Sequence, residues 1–256
     1  MGRTERERRE ASQARLAAAG IQTTRKKPGG GKQGLAIAAV VLVVAVVAGL
    51  VIAWQNSSSS SSTEGSAPVA PTYQASRNGA VVTAGSPTAP VTVDVYEDFL
   101  CPACQQFEKI YGNEITTALN EGKVKVNYHL IAILEERSTP PGYSSLAGGA
   151  GLCAADAGVF PAFHERLYAE QPSEGGPGKS AQELVTIGQQ VGAQGEFASC
   201  VNDPANGKAI LDATNAAAAD QAVAPGGRLS TPTVLLNGAQ VEINDADWLK
   251  RATGGA

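Results

Sequence analysis

Read for the spacing of apolar and polar positions, the chain divides into segments of different period. Gly34–Trp54, "GLAIAAVVLVVAVVAGLVIAW", has no period at all: its 21 residues carry no charge. As a helix that run would be about 30 Å long, the thickness of a bilayer core. "VTVDVYEDF" (91–99) alternates β-branched or aromatic residues with polar ones and predicts a strand. "CPACQQFEKIYGNEITTALNEG" (101–122) predicts a helix, with Pro102 in a first turn whose N–H groups lack partners anyway and Gly122 as its stop. "KVKVNYHLIAI" (123–133) predicts a second strand, so the order strand–helix–strand implies a parallel βαβ unit.

"STPPGY" (138–143) interrupts this pattern, and from Tyr143 to about Val223 the chain is Ala-rich with helical spacing. "FPAFHERLYAE" places apolar and aromatic residues on one helical stripe. "SAQELVTIGQQVG" opens on Ser180 with Glu183 three residues later, a capping box. "ANGKAILDATNAAAADQA" adds another helix and "PGGRLS" (225–230) closes the block. "TPTVLLNGAQVEI" predicts a hairpin turning at Asn237-Gly238, and "DADWLKRATGG" (245–255) a last helix.

Charge orients the apolar run. Of the 256 residues, those before Gly34 include nine Lys and Arg against three acids, while the rest of the chain holds 11 bases and 21 acids. The positive-inside rule keeps the N-terminus cytoplasmic and exports the remainder. A cleaved signal peptide is the alternative, although the run is longer than a usual h-region and no A-x-A site follows closely. The exported part is acidic, which argues against a nucleic-acid partner. The expected organisation is a basic tail (1–33), a transmembrane helix (34–54), a Ser-rich tether (55–78) and a folded α/β domain (79–253) with a helical insertion at about 143–224.

An exported domain meets an oxidising compartment, and the chain has four cysteines: Cys101, Cys104, Cys153 and Cys200. Cys101 falls at a predicted helix N-terminus, where orphan N–H groups and the dipole stabilise an anion. Its thiol should ionise more readily than free cysteine. Cys104, one turn on, shares its face and can close a small disulfide or resolve a mixed one. A zinc site is disfavoured, because the other two cysteines are 47 residues apart and the only histidines are His129 and His164. A purely structural Cys101–Cys104 bridge would close too short a loop to gain much.

"SPTAPVTVDVYEDFLCPACQQFE" resembles the active-site segment of DsbA-like thiol–disulfide oxidoreductases, a family with the thioredoxin fold. "SSLAGGAGLCAADAGVFPAFHERLY" resembles that family's helical insertion, and "STPTVLLNG" its cis-proline strand and hairpin. The resemblance covers roughly residues 80–253. It implies that Cys101 is the nucleophile and Cys104 the resolving thiol. Pro102 and Ala103 become the dipeptide that tunes reactivity. Pro232 becomes the cis-proline beside the disulfide, and Thr231 the residue whose backbone pairs with substrate. It implies exported proteins bearing thiols as substrates. A membrane oxidase linked to quinones, DsbB-like or vitamin-K-epoxide-reductase-like, is the implied redox partner.

Two departures from the family pattern stand out. Ala103 replaces the dipeptide histidine of well-known DsbA oxidases, which implies a milder oxidant. The position six residues before the first cysteine, often a buried acid, is Val95. Asp94 points to the other face by alternation, and Glu97 and Asp98 are read as sitting at the exposed end of the strand. Cys153 and Cys200 are expected to form a structural disulfide between two helices, with two separate buried thiols as the alternative. "GGPGKS" (175–180) is read as a loop running into the Ser180 cap rather than a phosphate loop, because Ser173 stands where its first glycine belongs. His129 and His164 are read as structural, and neither a cofactor nor a metal ligand set is assigned. The function expected is a membrane-tethered oxidase that donates disulfides to exported proteins. A reductase or isomerase of the same fold, or a non-catalytic peptide-binding module, is the alternative.

Overall fold

The structure is a computed structural model, and its described residues are 68–254. The segments expected to be a basic tail (1–33), a transmembrane helix (34–54) and most of a tether (55–67) lie outside them. Among the described residues no helix is long and apolar enough to cross a membrane.

Six strands form one mixed sheet in the order β1-β2-β4-β3-β5-β6. The strands are β1 (Ala75–Asn78), β2 (Val81–Gly85), β3 (Val91–Glu97), β4 (Val124–Leu130), β5 (Thr233–Leu236) and β6 (Ala239–Gln240). β3 and β4 pair in parallel, joined by helix α1 (Pro102–Asn120), and the other pairs are antiparallel. Alternation decides the faces. Val91, Val93 and Val95 of β3 and Val124, Val126 and Tyr128 of β4 are buried in the main core. On the opposite face Asp94 accepts hydrogen bonds from Asn127 (2.9 Å) and pairs with His129 (3.0 Å), leaving Asp94 part-buried among polar partners. His129 also stacks on Tyr96, ring centroids 4.1 Å apart.

Between β4 and β5 the chain makes a helical block: α2 (Tyr143–Asp156), α3 (Phe160–Ala169), α4 (Ala181–Gln190), α5 (Phe197–Val201) and α6 (Pro204–Ala219). α2 runs almost wholly buried because it is built from small residues. A Cβ on Gly151 would sit 2.7 Å from Leu130 Cδ1 and 3.2 Å from Phe99 Cε2, so these two side chains fill the space beside the helix where it approaches the end of the sheet. The Ser180 capping box forms, with Glu183 N–H donating to Ser180 Oγ and Ser180 N–H to the Glu183 carboxylate, so "GGPGKS" is a loop into a cap. The hairpin turns at Asn237 (φ 50°) and Gly238 (φ 85°), the two positive φ angles a tight primed turn requires. A short α7 (Trp248–Ala252) ends the described chain and buries Trp248 and Leu249.

The folded region begins earlier than Gly79. β1 starts at Ala75, and the residues before it dock on α1: Val69 N–H donates to Asn113 Oδ1 (3.1 Å) and Thr72 N–H to Asn120 Oδ1 (2.7 Å). The Ser-rich composition of the tether hides this. Val69 and Tyr73 are too few to show a period, and their partners are some 40 residues away. Arg77 on β1 then ties the sheet to the helical block, reaching Asp156 (2.9 Å) and Asn206 (2.8 Å).

Candidate active site

β3 ends at Glu97, and the next four residues turn back so that Cys101 N–H donates to the Asp98 carbonyl (2.9 Å). The Asp98 carboxylate locks this turn by accepting N–H bonds from Leu100 (2.8 Å) and Leu134 (2.9 Å). Cys101 is the N-cap of α1, in extended conformation, with Pro102 at the first helical position. From the other side of the sheet, β5 pairs with β3 in the register Tyr96↔Thr233. That register carries the preceding turn, with its cis Thr231–Pro232 bond, alongside the start of α1. Cys101 Sγ lies 3.5 Å from the Thr231 carbonyl oxygen, to which the thiol donates. Residues 130 apart in sequence thereby share one site.

The two thiols of the pair are free and unequal. Cys101 keeps 6% of its surface exposed and Cys104 only 1%, so a substrate can reach only the first. A hydrogen bond from the Cys104 thiol pulls Cys101 down to about 6. Burial opposes this; hydrogen bonding from the Thr231 side chain and from the N–H groups of Cys104 and Ala103 assists it. Burial pushes Cys104 well above the ordinary range, and its bond to Cys101 and the negative charges of Cys101 and Glu97 push it further. Pro102 and Ala103 are exposed on the rim between them.

The helical block clamps this loop. Gln171 Nε2 donates to the carbonyls of Phe99 (3.1 Å) and Cys101 (2.9 Å), and Gln105 Nε2 to that of Tyr168 (2.7 Å). Gln171 escaped the sequence reading, and nothing local to it could have shown a target 70 residues upstream.

Glu97 and Asp98 correct the sequence reading: both are 1% exposed, not at an open strand end. Glu97 continues the inward series Val91, Val93, Val95, so the alternation itself was the available signal. It meets His164 of α3 at 2.7 Å. Burial works against a charged His164 ring, but the neighbouring Glu97 and Glu108 outweigh it and hold the imidazole in its protonated form. Burial pushes Asp98 up to about 6 despite its two N–H donors.

Cys153 in α2 and Cys200 in α5 are joined by a disulfide, S–S 2.02 Å. Asn206 Nδ2 donates to the Cys200 carbonyl beside it (2.9 Å). Disulfide sulfurs are not thiolate ligands, so the four cysteines do not form a zinc site.

Comparison with known proteins bears on this arrangement directly. The thioredoxin family profile matches residues 77–252. The chain belongs to the thioredoxin family. Oxidised Mycobacterium tuberculosis DsbA superposes with a TM-score of 0.58 at 28% identity, over 72% of this chain and 94% of that one. MdbA of Corynebacterium matruchotii, a thiol–disulfide oxidoreductase, gives 0.62 at 27% identity, over 72% and 92%. The fold is that of DsbA-like thiol–disulfide oxidoreductases, and these matches support disulfide oxidoreductase activity. Among curated proteins, the serine/threonine-protein kinase PknE of Mycobacterium tuberculosis is 32% identical over 177 residues, 66% of this chain. The chain spans about a third of that relative's length, 31%.

Proposed function

We propose that this protein is a membrane-tethered, extracytoplasmic disulfide oxidase that introduces disulfides into exported proteins. The observation that carries the reading is the inequality of the pair: a reachable Cys101 held as thiolate and a buried Cys104 held as thiol. A substrate thiolate attacks Cys101 Sγ of the Cys101–Cys104 disulfide. The enzyme's S–S bond breaks, a substrate–Cys101 bond forms, and Cys104 leaves and takes a proton. A second substrate thiolate then attacks the substrate sulfur of the mixed disulfide and expels Cys101. Cys101 leaves readily because its thiolate is stabilised. Two electrons pass from substrate to enzyme, and the substrate thiols release their protons. The Thr231 carbonyl lies where an extended substrate backbone can pair beside Cys101.

The Cys153–Cys200 bond suits an oxidising compartment. The charge-free run of Gly34–Trp54 and the basic residues before it support a signal anchor with a cytoplasmic N-terminus. Tethering would keep the domain near a membrane oxidase, DsbB-like or vitamin-K-epoxide-reductase-like, that restores the disulfide. Ala103 favours the second reading, a reductase or isomerase, because the dipeptide supplies no donor beyond its own N–H.

The reduction potential of the pair, measured against glutathione, separates the two. A value near about −120 mV supports the oxidase and one near about −270 mV the reductant. Reporter fusions on either side of Gly34–Trp54 test the topology. An active periplasmic reporter fused before Gly34 would overturn it.

A further inference from the structure

Three ionisable side chains beneath the active site take no part in the exchange steps. Glu97 ends β3 on its inward face, Glu108 stands one turn beyond Cys104 in α1, and His164 projects from α3. Among the described residues this is the one group of three His, Cys, Asp or Glu side chains whose ligand atoms all lie within 4.8 Å of one another. His164 Nε2 and Glu97 Oε1 are 2.7 Å apart. Glu97 Oε2 and Glu108 Oε1 are buried without a hydrogen-bond partner, and Glu97 as a whole is 1% exposed.

A buried acceptor left unpaired costs about 1–3 kcal/mol, more when charged. Two such oxygens converging beside an imidazole nitrogen suit a cation. Among the described residues neither glutamate has a Lys or Arg partner, and the protonated His164 ring, whose proton an entering metal ion would displace, is the one cation paired with them. The surroundings are dry on one side and open on the other. Phe99, Tyr128, Phe160 and Tyr168 pack around His164 with ring centroids 4.9–5.7 Å away. A groove of about 340 Å³ between α1 and α3 has Glu108 and His164 among its walls, with Val69 and Tyr73 also lining it.

We propose that Glu97, Glu108 and His164 form a binding site for a divalent transition-metal ion, zinc foremost, with a water from the groove as fourth ligand. Two carboxylates and one neutral imidazole balance a double positive charge. Three protein ligands and one open position are the coordination of accessible zinc sites. An imidazole nitrogen in the set disfavours calcium and magnesium, which take oxygen donors. Ligand bonds of about 2.0–2.1 Å place tetrahedral donors about 3.3 Å apart. Side-chain shifts of about 1 Å would bring the three atoms, now within 4.8 Å of one another, to that spacing. The proton between His164 and Glu97 would leave as the ion enters.

The test uses the full-length chain with Cys101–Cys104 oxidised, so that no thiolate competes for metal. The protein is stripped with chelator, then titrated with ZnCl2 by calorimetry and with CoCl2 by visible absorption. The expected result is saturable binding of one ion per chain, with a cobalt spectrum of low-coordinate N/O type. Glu108→Gln, at the groove edge, should weaken binding at least about tenfold. Glu97→Gln provides a second check should Glu108→Gln prove misfolded by circular dichroism. Asp94→Asn, which removes the carboxylate paired with His129 on the opposite face of the sheet, should leave affinity unchanged. Absence of saturable binding, or equal binding by folded Glu108→Gln and Glu97→Gln, would reduce the cluster to a hydrogen-bonded triad and overturn the proposal.

Discussion

Removing Cys104 tests the electrostatics of the pair most directly. Its thiol hydrogen bond is the largest influence holding Cys101 down to about 6, against an ordinary value of 9.0. Cys104→Ala deletes that donor and leaves the helix start and the Thr231 turn in place. A hydrogen bond to a charged group contributes about 1.5–3 kcal/mol, and each pKa unit corresponds to about 1.4 kcal/mol, so Cys101 should rise by about 1–2 units. At pH 7 the thiolate fraction would fall from about nine-tenths to between about a half and a tenth. The assay is the pH dependence of thiolate absorbance, cross-checked by the alkylation rate with iodoacetamide. In wild type the more acidic of two midpoints belongs to Cys101, and in the variant a single midpoint remains. A variant midpoint still near 6 would show that the helix start alone stabilises the anion and that the donor role of Cys104 is wrong. A wild-type midpoint at the ordinary value would refute the whole account of the site.

Other measurements probe the surrounding structure. Because Cys101 titrates lower in the fold than in the unfolded chain, its contribution to the reduced protein is lost as pH falls through about 6. The stability of reduced relative to oxidised protein should therefore climb from pH 6 to about pH 8, and a flat difference in urea midpoints would contradict this. Asp98 has the opposite sign: its raised value, about 6, favours the fold at pH 4 and that benefit disappears by pH 7. Asp98→Asn should lessen the drop in urea midpoint between those two pH values. Cys153→Ser with Cys200→Ser should cost about 2–4 kcal/mol in urea unfolding at fixed redox state of the active pair, since the bridge closes a loop of 47 residues. An unchanged midpoint would mean the helical block holds without it. Gly188→Ala would place a Cβ 2.0 Å from Phe197 Cε1. The resulting overpacking, about 1–3 kcal/mol, should exceed the gain of about 1 kcal/mol in helix propensity and lower the melting temperature.

Much of this molecule could be read along the chain because the governing forces are local. Alternation in 91–97 and 124–130, Pro102 after Cys101, the Ser180–Glu183 box and the Asn237-Gly238 turn each depend on neighbours a few residues apart. The parallel pairing of β3 and β4 follows from the helix between them. Glu97 was on the legible side too, being in step with three buried valines, but charge argued for exposure and outweighed the pattern.

Assembly supplied the rest. β1 is four residues long and too short to display a period; its pairing with β2 makes it a strand. The meeting of Thr231 with Cys101 requires the β3–β5 register, which brings together segments 130 residues apart. Whether a strand end is wet or dry depends on what lies over it. Here α3 covers it, so Glu97 faces His164 instead of water, and Glu108 joins them from α1. Backbone preference acts over one turn or one pleat, whereas burial and charge act between whichever surfaces the fold presses together.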